Sequence, residues 1–506
     1  MRRFIKIRGS TFIACLAYKI CMPSVSKLTA VEHDFWQLIS RAAFANPFSA
    51  ERRELDLKIT GKAEPDLQKL SAIVFEWVKK LENKDAANFR HFADEESEIM
   101  RIGFLFEIYH RFYAQLDQLI LDQIKSGEKC CPVFFAGEIL ALLAKRGFAK
   151  DEALRFFGIF YQLRRAFFFI VHGLIGQAAC MKELRRHLWN NVFTFDIRWY
   201  DRYLWNRMED FSTLLLGETG TGKGAAAAAI GRSGFIPFDE RKNCFTESFA
   251  QNFISLNLSQ FPETLIESEL FGHKKGAFTG AIEAHQGVFA RCSSHGAIFL
   301  DELGDVSVPV QIKLLQVLQE RTFSPVGNRE KLRFHGRVIA ATNKSLDELR
   351  REKLFRDDFF YRLCSDSIVL PPLRQRFQEF PRELDLMLEH ILARMTGASA
   401  DELLPLVRKK LITCVGKDYP WPGNVRELEQ AIRRILLTER YDGEKQPSDL
   451  RSQIISGIEA GTLDADAVLS LYCRMLHERH ETFEAVASRT NLDPRTVKKY
   501  LTQTST

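Results

Sequence analysis

The chain contains, in direct succession, an apolar run, a glycine-rich turn and an alanine-rich stretch. The apolar run is Leu214, Leu215 and Leu216, and the alanine-rich stretch "KGAAAAAI" begins at Lys223. The turn has the spacing G-x-x-x-x-G-K, in which glycines let backbone N–H groups approach an anion and the lysine adds a positive charge. A buried strand leading through such a turn into a helix predicts a phosphate-binding loop in an α/β domain, because a helix N-terminus also attracts anions. A glycine-rich turn with a chance lysine is the weaker interpretation. The predicted phosphate site comprises Gly217, Glu218, Thr219, Gly220, Thr221, Gly222, Lys223 and Gly224.

Position 224 departs from the general form of this motif. It holds glycine where Ser or Thr usually ligates Mg²⁺. Glycine near a helix start also costs some stability. Both points weaken the case for a metal ligand at this position.

Two further apolar stretches end in polar side chains. "GAIFLDELGD" (296–305) ends in Asp301 and Glu302, which suit a Mg²⁺ ligand and a residue that orients and polarises an attacking water. "RVIAATNKS" (337–345) ends in Thr342 and Asn343, a polar tip able to sense a γ-phosphate or to position water. The plain alternatives are an acidic pair where a strand meets a loop, and a strand followed by a turn asparagine.

Three arginines are candidates for phosphate contacts. Arg356 and Arg362 stand six residues apart in "FRDDFFYRL", and Arg426 lies on the helix predicted for "WPGNVRELEQAI", with Asn424 as its N-cap. A planar guanidinium binds phosphate oxygens in a fixed geometry, which suits charge that develops during phosphoryl transfer. Each arginine taken alone also fits an ordinary solvated face.

A short loop between these motifs combines hinges with an apolar tip. In "ESELFGHKKGAFTGA" (267–281), Gly276 and Gly280 flank Ala277, Phe278 and Thr279. A buried strand would not carry those glycines, and a plain surface loop rarely displays phenylalanine. These residues describe a small, glycine-hinged loop with an apolar tip, and its purpose depends on the motifs around it.

Seven motifs taken in order carry a family resemblance. They are GETGTGKG, ESELFGHKKGAFTGA, GAIFLDEL, VIAATN, FRDDFFYRL, LPPLRQR and WPGNVRELEQAI. Together they closely resemble the central AAA+ domain of sigma-54-dependent transcriptional activators, the bacterial enhancer-binding proteins. The resemblance covers roughly residues 171–440, and GAFTGA is nearly private to that family.

The resemblance implies ATP hydrolysis with Mg²⁺ in a homo-oligomeric ring, usually a hexamer, whose ATP lies between subunits. Lys223 would grip phosphate, and Arg356 and Arg362 would reach into the neighbouring subunit's ATP. The remaining implied nucleotide-site residues are Asp301 for Mg²⁺, Glu302 for water, Thr342 and Asn343 as first sensor, and Arg426 as second sensor. The residues implied to contact sigma-54 are Gly276, Ala277, Phe278, Thr279, Gly280 and Ala281.

Several finer correspondences follow from the same resemblance. "HGLIGQAACMKELRRHLW" (172–189) looks like the family's opening segment, where Ile175 and Gly176 lie near the adenine, and Asn257 aligns with an asparagine that swings the catalytic glutamate. Family members commonly have Glu at the position of Gly224, which makes that glycine a smaller departure than the general motif suggests. Residues 194–212 and 231–250 are longer than the family's usual connections, and the sequence assigns them no role.

The C-terminal residues predict a small DNA-binding module. "TFEAVASRTNLDPRTVKKYL" has helix-turn-helix spacing and resembles the Fis-like module that ends many of these activators. A helical cap with a basic face is the alternative. The side chains predicted to face DNA are Arg495, Thr496, Lys498, Lys499 and Tyr500.

The N-terminal third shows apolar residues at helical spacing, without a recognisable receiver pattern. Its aromatic residues are expected to be mainly core, with a ligand pocket as the alternative; they include Phe156, Phe157, Phe160, Phe167, Phe168 and Phe169. Residues 1–21 are basic and then apolar, which indicates a leader ahead of Met22 or a first helix more than a signal peptide. They are too short to span a bilayer, so no membrane partner is expected. The ten scattered cysteines indicate a reducing, cytoplasmic setting.

The sequence therefore predicts a multidomain protein. Its predicted parts are a mostly helical regulatory region (1–170), an α/β P-loop AAA+ domain with a helical lid (core about 171–370, lid about 371–440), a linker (441–464) and an all-α helix-turn-helix module (465–506). The expected function is ATP-driven remodelling of the sigma-54 RNA polymerase closed complex from upstream, enhancer-like DNA. A DNA-binding relative with weakened ATPase, or another AAA+ remodeller, remains the alternative.

Overall fold

The computed structural model describes residues 26–61, 67–352, 354–397, 400–416, 419–441, 443, 450–459, 461–480 and 482–502. The stretch 1–21, predicted as a leader or first helix, lies outside the described residues. The chain divides into two compact units, one running up to Ile391 and including Gly423–Arg426, the other comprising Leu392–Pro422 and the residues from Glu427 onward. Within the described residues, no helix combines the length and the apolar character needed to cross a bilayer.

The N-terminal region of the first unit is helical, as its periodicity predicts. Its helices span Ala30–Phe44 (α1), Ala50–Thr60 (α2), Leu67–Asn83 (α3), Asp94–Ser126 (α4), Ala136–Arg146 (α5) and Lys150–Gly173 (α6). Thr29 begins α1 with a capping box, in which its side chain accepts from the Glu32 N–H while the Glu32 side chain accepts from the Thr29 N–H. The helices bury one apolar face each around Trp36 and Phe104, both with 0% exposure. Helix α6 runs on to Gly173, past the predicted boundary at residue 170.

The α/β core follows in the same unit. Its helices span Ala179–Phe193 (α7), Ile197–Trp199 (α8), Lys223–Gly231 (α9), Glu263–Phe271 (α10), Val288–Arg291 (α11), Val308–Glu320 (α12), Leu346–Arg351 (α13), Asp357–Leu363 (α14), Leu373–Glu379 (α15) and Glu383–Thr396 (α16, whose residues from Leu392 onward belong to the second unit). Its strands span Thr213–Leu216 (β1), Phe238–Asp239 (β2), Cys244–Phe245 (β3), Phe253–Asn257 (β4), Ala297–Asp301 (β5), Thr322–Phe323 (β6), Leu332–Arg333 (β7), Arg337–Thr342 (β8) and Asp366–Val369 (β9).

Five of these strands form one parallel sheet with the order β4-β5-β8-β1-β9. The central strands are apolar and fully buried because helices cover both faces, as parallel sheets require. Strands β2 and β3, and strands β6 and β7, form separate antiparallel pairs. The predicted α/β domain is therefore confirmed.

The N-terminal helices pack directly on this α/β core, and the two long connections build the contact. Arg165 donates from Nη1 to the Arg232 carbonyl and from Nη2 to the Gly234 carbonyl, each at 2.7 Å. Gln162 donates to the Ser233 carbonyl at 2.8 Å and accepts from the Tyr200 hydroxyl at 2.8 Å. One apolar cluster continues from the N-terminal helices into the sheet. Residues 194–212 and 231–250, which had no role from sequence, thus join the two regions.

The second unit is helical in its described residues. Its helices span Ala400–Val415 (α17), Asn424–Thr438 (α18, whose first turn belongs to the first unit), Leu450–Glu459 (α19), Ala465–His480 (α20), Phe483–Thr490 (α21) and Pro494–Thr502 (α22). Helix α19 occupies part of the predicted linker. The helical lid and the small all-α C-terminal module are confirmed as helical structures.

Candidate nucleotide-binding site and its associated surfaces

The predicted catalytic residues meet because three parallel strands end at the same edge of the sheet. Leu216 of β1 pairs with Thr342 of β8, and Leu300 of β5 pairs with Ala340. The loop after β1, the acidic end of β5 and the polar end of β8 are therefore neighbours. Ligands of open α/β sheets bind at this carboxyl edge.

The phosphate loop has the backbone that its glycines predict. Gly217, Gly220 and Gly222 have φ values of +155°, +78° and +101°, which residues with a side chain adopt only under strain. Lys223 begins α9 and is 7% exposed, with Nζ donating to the carbonyls of Gly217 at 2.8 Å and Glu218 at 3.1 Å. Burial lowers the pKa of Lys223, while Glu302 and Asp301 oppose that shift. The lysine thus lies within electrostatic reach of both predicted carboxylates.

The acidic end of β5 is shaped by an unusual backbone. Glu302 has a φ of +56°, in the left-handed region, and its N–H donates to Asp301 Oδ1 at 3.0 Å. Asn257, at the end of the adjacent β4, pairs in register with Asp301. The Asn257 side chain accepts from the Ser259 N–H at 3.0 Å and from its hydroxyl at 2.7 Å. The predicted switch asparagine thus lies beside the carboxylates, held by the turn that follows it.

The predicted first sensor divides between a buried and an exposed residue. Thr342 is fully buried, and its Oγ1 accepts from the Lys344 N–H at 3.2 Å. Asn343 is exposed. Of the two, Asn343 is the exposed side chain, and Thr342 bonds within the turn that follows β8.

The start of α18 contacts the phosphate loop. Asn424, predicted only as an N-cap, donates to the Thr219 carbonyl at 3.0 Å and accepts from the Leu373 N–H at 2.7 Å. The predicted second sensor, Arg426, is exposed, and a methyl group added at Gly220 would lie 3.1 Å from its Cβ. The structure therefore places Arg426 beside the phosphate loop, and its role as second sensor stays a prediction.

A second contact to the loop comes from α15. Arg374 pairs with Glu218, its Nη1 2.8 Å from Oε2 and its Nη2 2.5 Å from Oε1. Hydrogen bonding from Arg374 lowers the pKa of Glu218. The LPPLRQR motif, quoted for the resemblance, contains this arginine. Its position within the motif was the one signal that pointed to it.

The segment predicted to lie near the adenine is clamped by buried charges. Arg376 donates to the Ile175 carbonyl at 2.5 Å and pairs with Glu383 at 2.7 Å, with both side chains buried. Gly176 has a φ of +131°, and a methyl group there would lie 2.0 Å from a Glu383 oxygen. A methyl group at Gly222 would lie 4.0 Å from Leu174, so this segment adjoins the phosphate loop.

The two predicted arginine fingers bond locally: Arg356 is the N-cap residue of α14, and Arg362 lies in its last turn. Arg356 pairs with Asp358 at 2.9 Å, and Arg362 donates to the Leu318 carbonyl at 2.9 Å and 2.7 Å. Their hydrogen bonds therefore engage α14 itself and the end of α12. A role in another subunit's site stays a prediction.

The GAFTGA loop protrudes. Gly276 and Gly280 have φ values of +78° and +102°, and a methyl group at either would meet no heavy atom within 4 Å. Thr279 is exposed, and Phe278 is 37% exposed with its ring 4.9 Å from the ring of His273. Ala281 is buried at the base of the loop. Phe278 and Thr279 are thus the exposed side chains at the centre of the loop.

The C-terminal helices form a small core of their own. Its members are Cys473, Leu476, Val486, Ala487, Val497 and Tyr500. Tyr500 was predicted to face DNA, and this prediction is wrong. Its side chain is 9% exposed, and its hydroxyl donates to Asp466 at 2.8 Å. The helical period places it with Val497 on the inner face of α22, while Arg495, Lys498 and Lys499 are exposed and Thr496 is half-buried.

Comparison with known proteins agrees with this geometry. Residues 203–369 match the family model "Sigma-54 interaction domain", and residues 379–465, which include the whole of the predicted linker, match "AAA+ ATPase lid domain".

Curated relatives match across the same part of the chain. The DNA-binding transcriptional regulator NtrC of Azospirillum brasilense is 38% identical over 52% of this chain and 47% of the relative. The sigma54-dependent transcriptional activator SfnR of Pseudomonas putida is 40% identical over 47% of this chain and 60% of the relative. The regulatory protein AtoC of Escherichia coli is 36% identical over 50% of this chain and 51% of the relative. The chain matches about half the length of these relatives. It therefore contains a sigma-54 interaction domain followed by an AAA+ ATPase lid domain.

Proposed function

We propose that this protein hydrolyses ATP to remodel a sigma-54 RNA polymerase closed complex into an open complex. The observation that carries the proposal is the shared sheet edge, where Lys223 lies within electrostatic reach of Asp301 and Glu302. The protruding GAFTGA loop lies between the phosphate loop and the acidic strand in the chain, which suits an output element. The sigma-54 interaction domain supports the choice of partner.

The residues at this edge divide the chemistry of hydrolysis among them. Lys223 would exchange its two carbonyl partners for β- and γ-phosphate oxygens. Glu302 would orient the attacking water, and Asn343 would contact the γ-phosphate. Asn257 would control the position of Glu302 from the neighbouring strand.

A magnesium ion fits this edge. Asp301 supplies one carboxylate, and Mg²⁺ commonly takes one or two carboxylates, with phosphates and waters completing its shell. A methyl group at Gly224 would meet no heavy atom within 4 Å, so position 224 leaves room for water in place of the usual hydroxyl. When bound with ATP, the ion would neutralise charge on the phosphates.

The wider organisation follows from the same proposal. Residues 1–170 form the regulatory region and residues 171–440 form the AAA+ module. Residues 441–464 link that module to residues 465–506, which bind upstream DNA. In a homo-oligomeric ring, Arg356 and Arg362 would leave their local bonds and complete a neighbour's ATP site. Exposed Arg495, Lys498 and Lys499 would supply phosphate contacts to DNA.

Steady-state ATP hydrolysis by the full chain, across concentrations that favour assembly, tests the proposal. Lys223→Ala and Glu302→Gln should each reduce turnover by at least ~100-fold. Arg207→Gln, an exposed substitution outside the site, is the matched control and should retain wild-type turnover. Wild-type turnover equal to that of Lys223→Ala would refute ATP-driven remodelling and favour a DNA-binding relative. Normal turnover without binding to sigma-54 in the presence of a transition-state analogue would favour another remodeller.

A further inference from the structure

A large cavity lies among the N-terminal helices, away from the nucleotide site. Its volume is about 720 Å³, within the range of sites that hold small organic ligands. Helices α1, α2, α4, α6 and α7 line it, together with Ile197, Arg198, Asp201 and Arg202 from the long connection 194–212. The cavity is thus bounded by the same segment that joins the N-terminal region to the α/β core.

Aromatic rings form much of the cavity wall. They are Phe44, Phe106, Tyr109, Tyr113, Phe156, Phe160, Phe167 and Trp189. Several of the phenylalanines predicted as core residues therefore have a second role, because they pack into the core and also face this space. A wall of this kind favours a flat, apolar ligand body, which stacks on rings or meets their edges.

Guanidinium groups lie on these rings. Arg155 is 4.9 Å from the Phe156 ring centroid and Arg164 is 4.8 Å from that of Phe167. Arg155 contacts Asp201 through Nη1, and Nε and Nη2 are further donors on the same guanidinium. Donors on a planar fork recognise a carboxylate better than any neutral group.

Most of the charged groups around the cavity are paired. Six arginines line the cavity, against three acidic residues: Asp56, Glu98 and Asp201. Five of the six arginines pair with a carboxylate: Arg52 with Asp56, Arg101 with Glu98 and Glu152, Arg155 with Asp201, Arg164 with Asp117, and Arg198 with Asp196. Arg202 lines the cavity and is exposed. Among the described residues Arg202 has no ion pair, so it is the lining arginine open to a negatively charged group of a ligand.

His110 adds a hydrogen-bond acceptor to the wall. It is 5% exposed, and its Nδ1 lies 2.8 Å from the Phe106 carbonyl. Burial, with Arg52 and Arg164 nearby, lowers the pKa of His110 to about 3, so the ring is neutral at pH 7. With the proton on Nδ1, Nε2 accepts a hydrogen bond. A ligand hydroxyl or N–H would satisfy it.

We propose that this cavity binds a small aromatic acid that also carries a hydrogen-bond donor, and that this ligand is the signal read by the N-terminal region. The position of the cavity suits such a signal. Asp201 and Arg202 of the connection 194–212 line the cavity, and the preceding residue, Tyr200, donates a hydrogen bond to Gln162 on α6. At the end of the same connection, Ser212 donates to the carbonyl of Arg362 on α14 at 2.9 Å. Regulation of ATP hydrolysis rests on the proposed function, whereas ligand binding does not.

Titration calorimetry on the full chain tests the binding step with defined probes. The acids are benzoate, 4-hydroxybenzoate, 1-naphthoate and indole-3-acetate, and the matched neutral probe is 4-hydroxybenzyl alcohol. At least one acid that carries a donor should bind, and 4-hydroxybenzyl alcohol should bind at least ~10-fold more weakly than 4-hydroxybenzoate, since a charge-assisted pair is lost. Absence of binding by every acid at millimolar concentration, or equal affinity for the alcohol, would overturn the proposal.

Three variants locate the site. Leu163→Trp fills the cavity from α6 and should abolish binding. Arg202→Gln should weaken binding of the acid ~3- to 10-fold and leave the alcohol unaffected, while Arg207→Gln, exposed on the same connection and outside the cavity lining, should change neither. Unchanged acid binding in a folded Leu163→Trp protein would overturn the location. If that variant does not fold, equal effects of Arg202→Gln and Arg207→Gln on binding of the acid would overturn the location.

Basal and ligand-stimulated ATP turnover then separate the two proposals. Binding with no change in turnover would overturn the signal role while leaving hydrolysis intact. Binding by a protein without turnover would instead count against the proposed function.

Discussion

Arg165 provides a direct test of how the N-terminal helices attach to the α/β core. Its side chain is fully buried, with Nη1 and Nη2 each 2.7 Å from a carbonyl of residues Arg232 and Gly234. Its guanidinium lies 4.5 Å from the Tyr161 ring centroid. Burial lowers the pKa of Arg165 to about 10, so it still carries its charge at pH 7. We predict that Arg165→Met loosens this attachment.

The magnitude follows from the contacts that are lost. Two hydrogen bonds from a charged donor contribute ~1.5–3 kcal/mol each, and the ring contact adds ~1 kcal/mol. Methionine also removes the cost of burying a charge, which offsets part of the loss. The net destabilisation should be ~3 kcal/mol, which raises the population of locally open molecules ~100-fold.

Amide hydrogen exchange measures this opening. In Arg165→Met, the amides of Arg232, Ser233 and Thr246, which bond to carbonyls of Ala228, Ile230 and Pro237, should exchange ~100-fold faster. Arg164→Met is the matched control, because the neighbouring Arg164 pairs with Asp117 inside the N-terminal region. It should loosen α4 and α6 without reaching the same three amides. Equal exchange at those amides in the wild type and Arg165→Met would refute the assignment of Arg165 as an attachment point.

Three further predictions concern the phosphate loop, the GAFTGA loop and the pH dependence of stability. Gly220→Ala should abolish nucleotide binding in a calorimetric titration, because the methyl group would lie 2.2 Å from a backbone oxygen at a φ of +78°, whereas Gly224→Ala, which has open space, should bind as wild type. Phe278→Ala and Thr279→Ala should retain ATP turnover and lose open-complex formation in a transcription assay; parallel loss of both activities would mean that the loop is structural. Burial lowers the pKa of His110 from 6.5 to about 3 in the folded protein, so as pH falls the unfolded chain takes up the proton first. The free energy of unfolding should therefore fall as pH drops from 6.5 toward 3, by up to ~1.4 kcal/mol per pH unit. Urea unfolding at pH 7 and pH 5 should show this loss of unfolding free energy in the wild type and a smaller loss in His110→Gln. An equal loss in the two proteins would contradict the prediction.

Local patterns were enough to predict much of the nucleotide site. The glycines at 217, 220 and 222 were assigned to a phosphate loop from spacing alone, and all three have positive φ. Asp301 and Thr342 were each expected at the end of an apolar strand, and both strands lie in the sheet as predicted. Parallel strands bring their carboxyl ends to one edge, so the meeting of these residues followed from the class of fold.

Other assignments depended on partners far away in the chain. Tyr500 looked like a surface residue because it follows two lysines, yet the helical period and Asp466, 34 residues earlier, place it in a core. Asn424 looked like a helix cap, and its partner Thr219 lies 205 residues away. No local pattern contains either partner, so neither contact was predictable.

The sequence by itself determined the P-loop domain, the protruding glycine-hinged loop and the helical character of both ends, since each depends on residue types at short, regular spacing. Only the tertiary structure decided that residues 194–212 and 231–250 join the N-terminal helices to the sheet, and that aromatic residues of α4, α6 and α7 enclose a cavity. The physical reason is that packing and hydrogen bonds between distant segments depend on three-dimensional placement, which local periodicity does not encode.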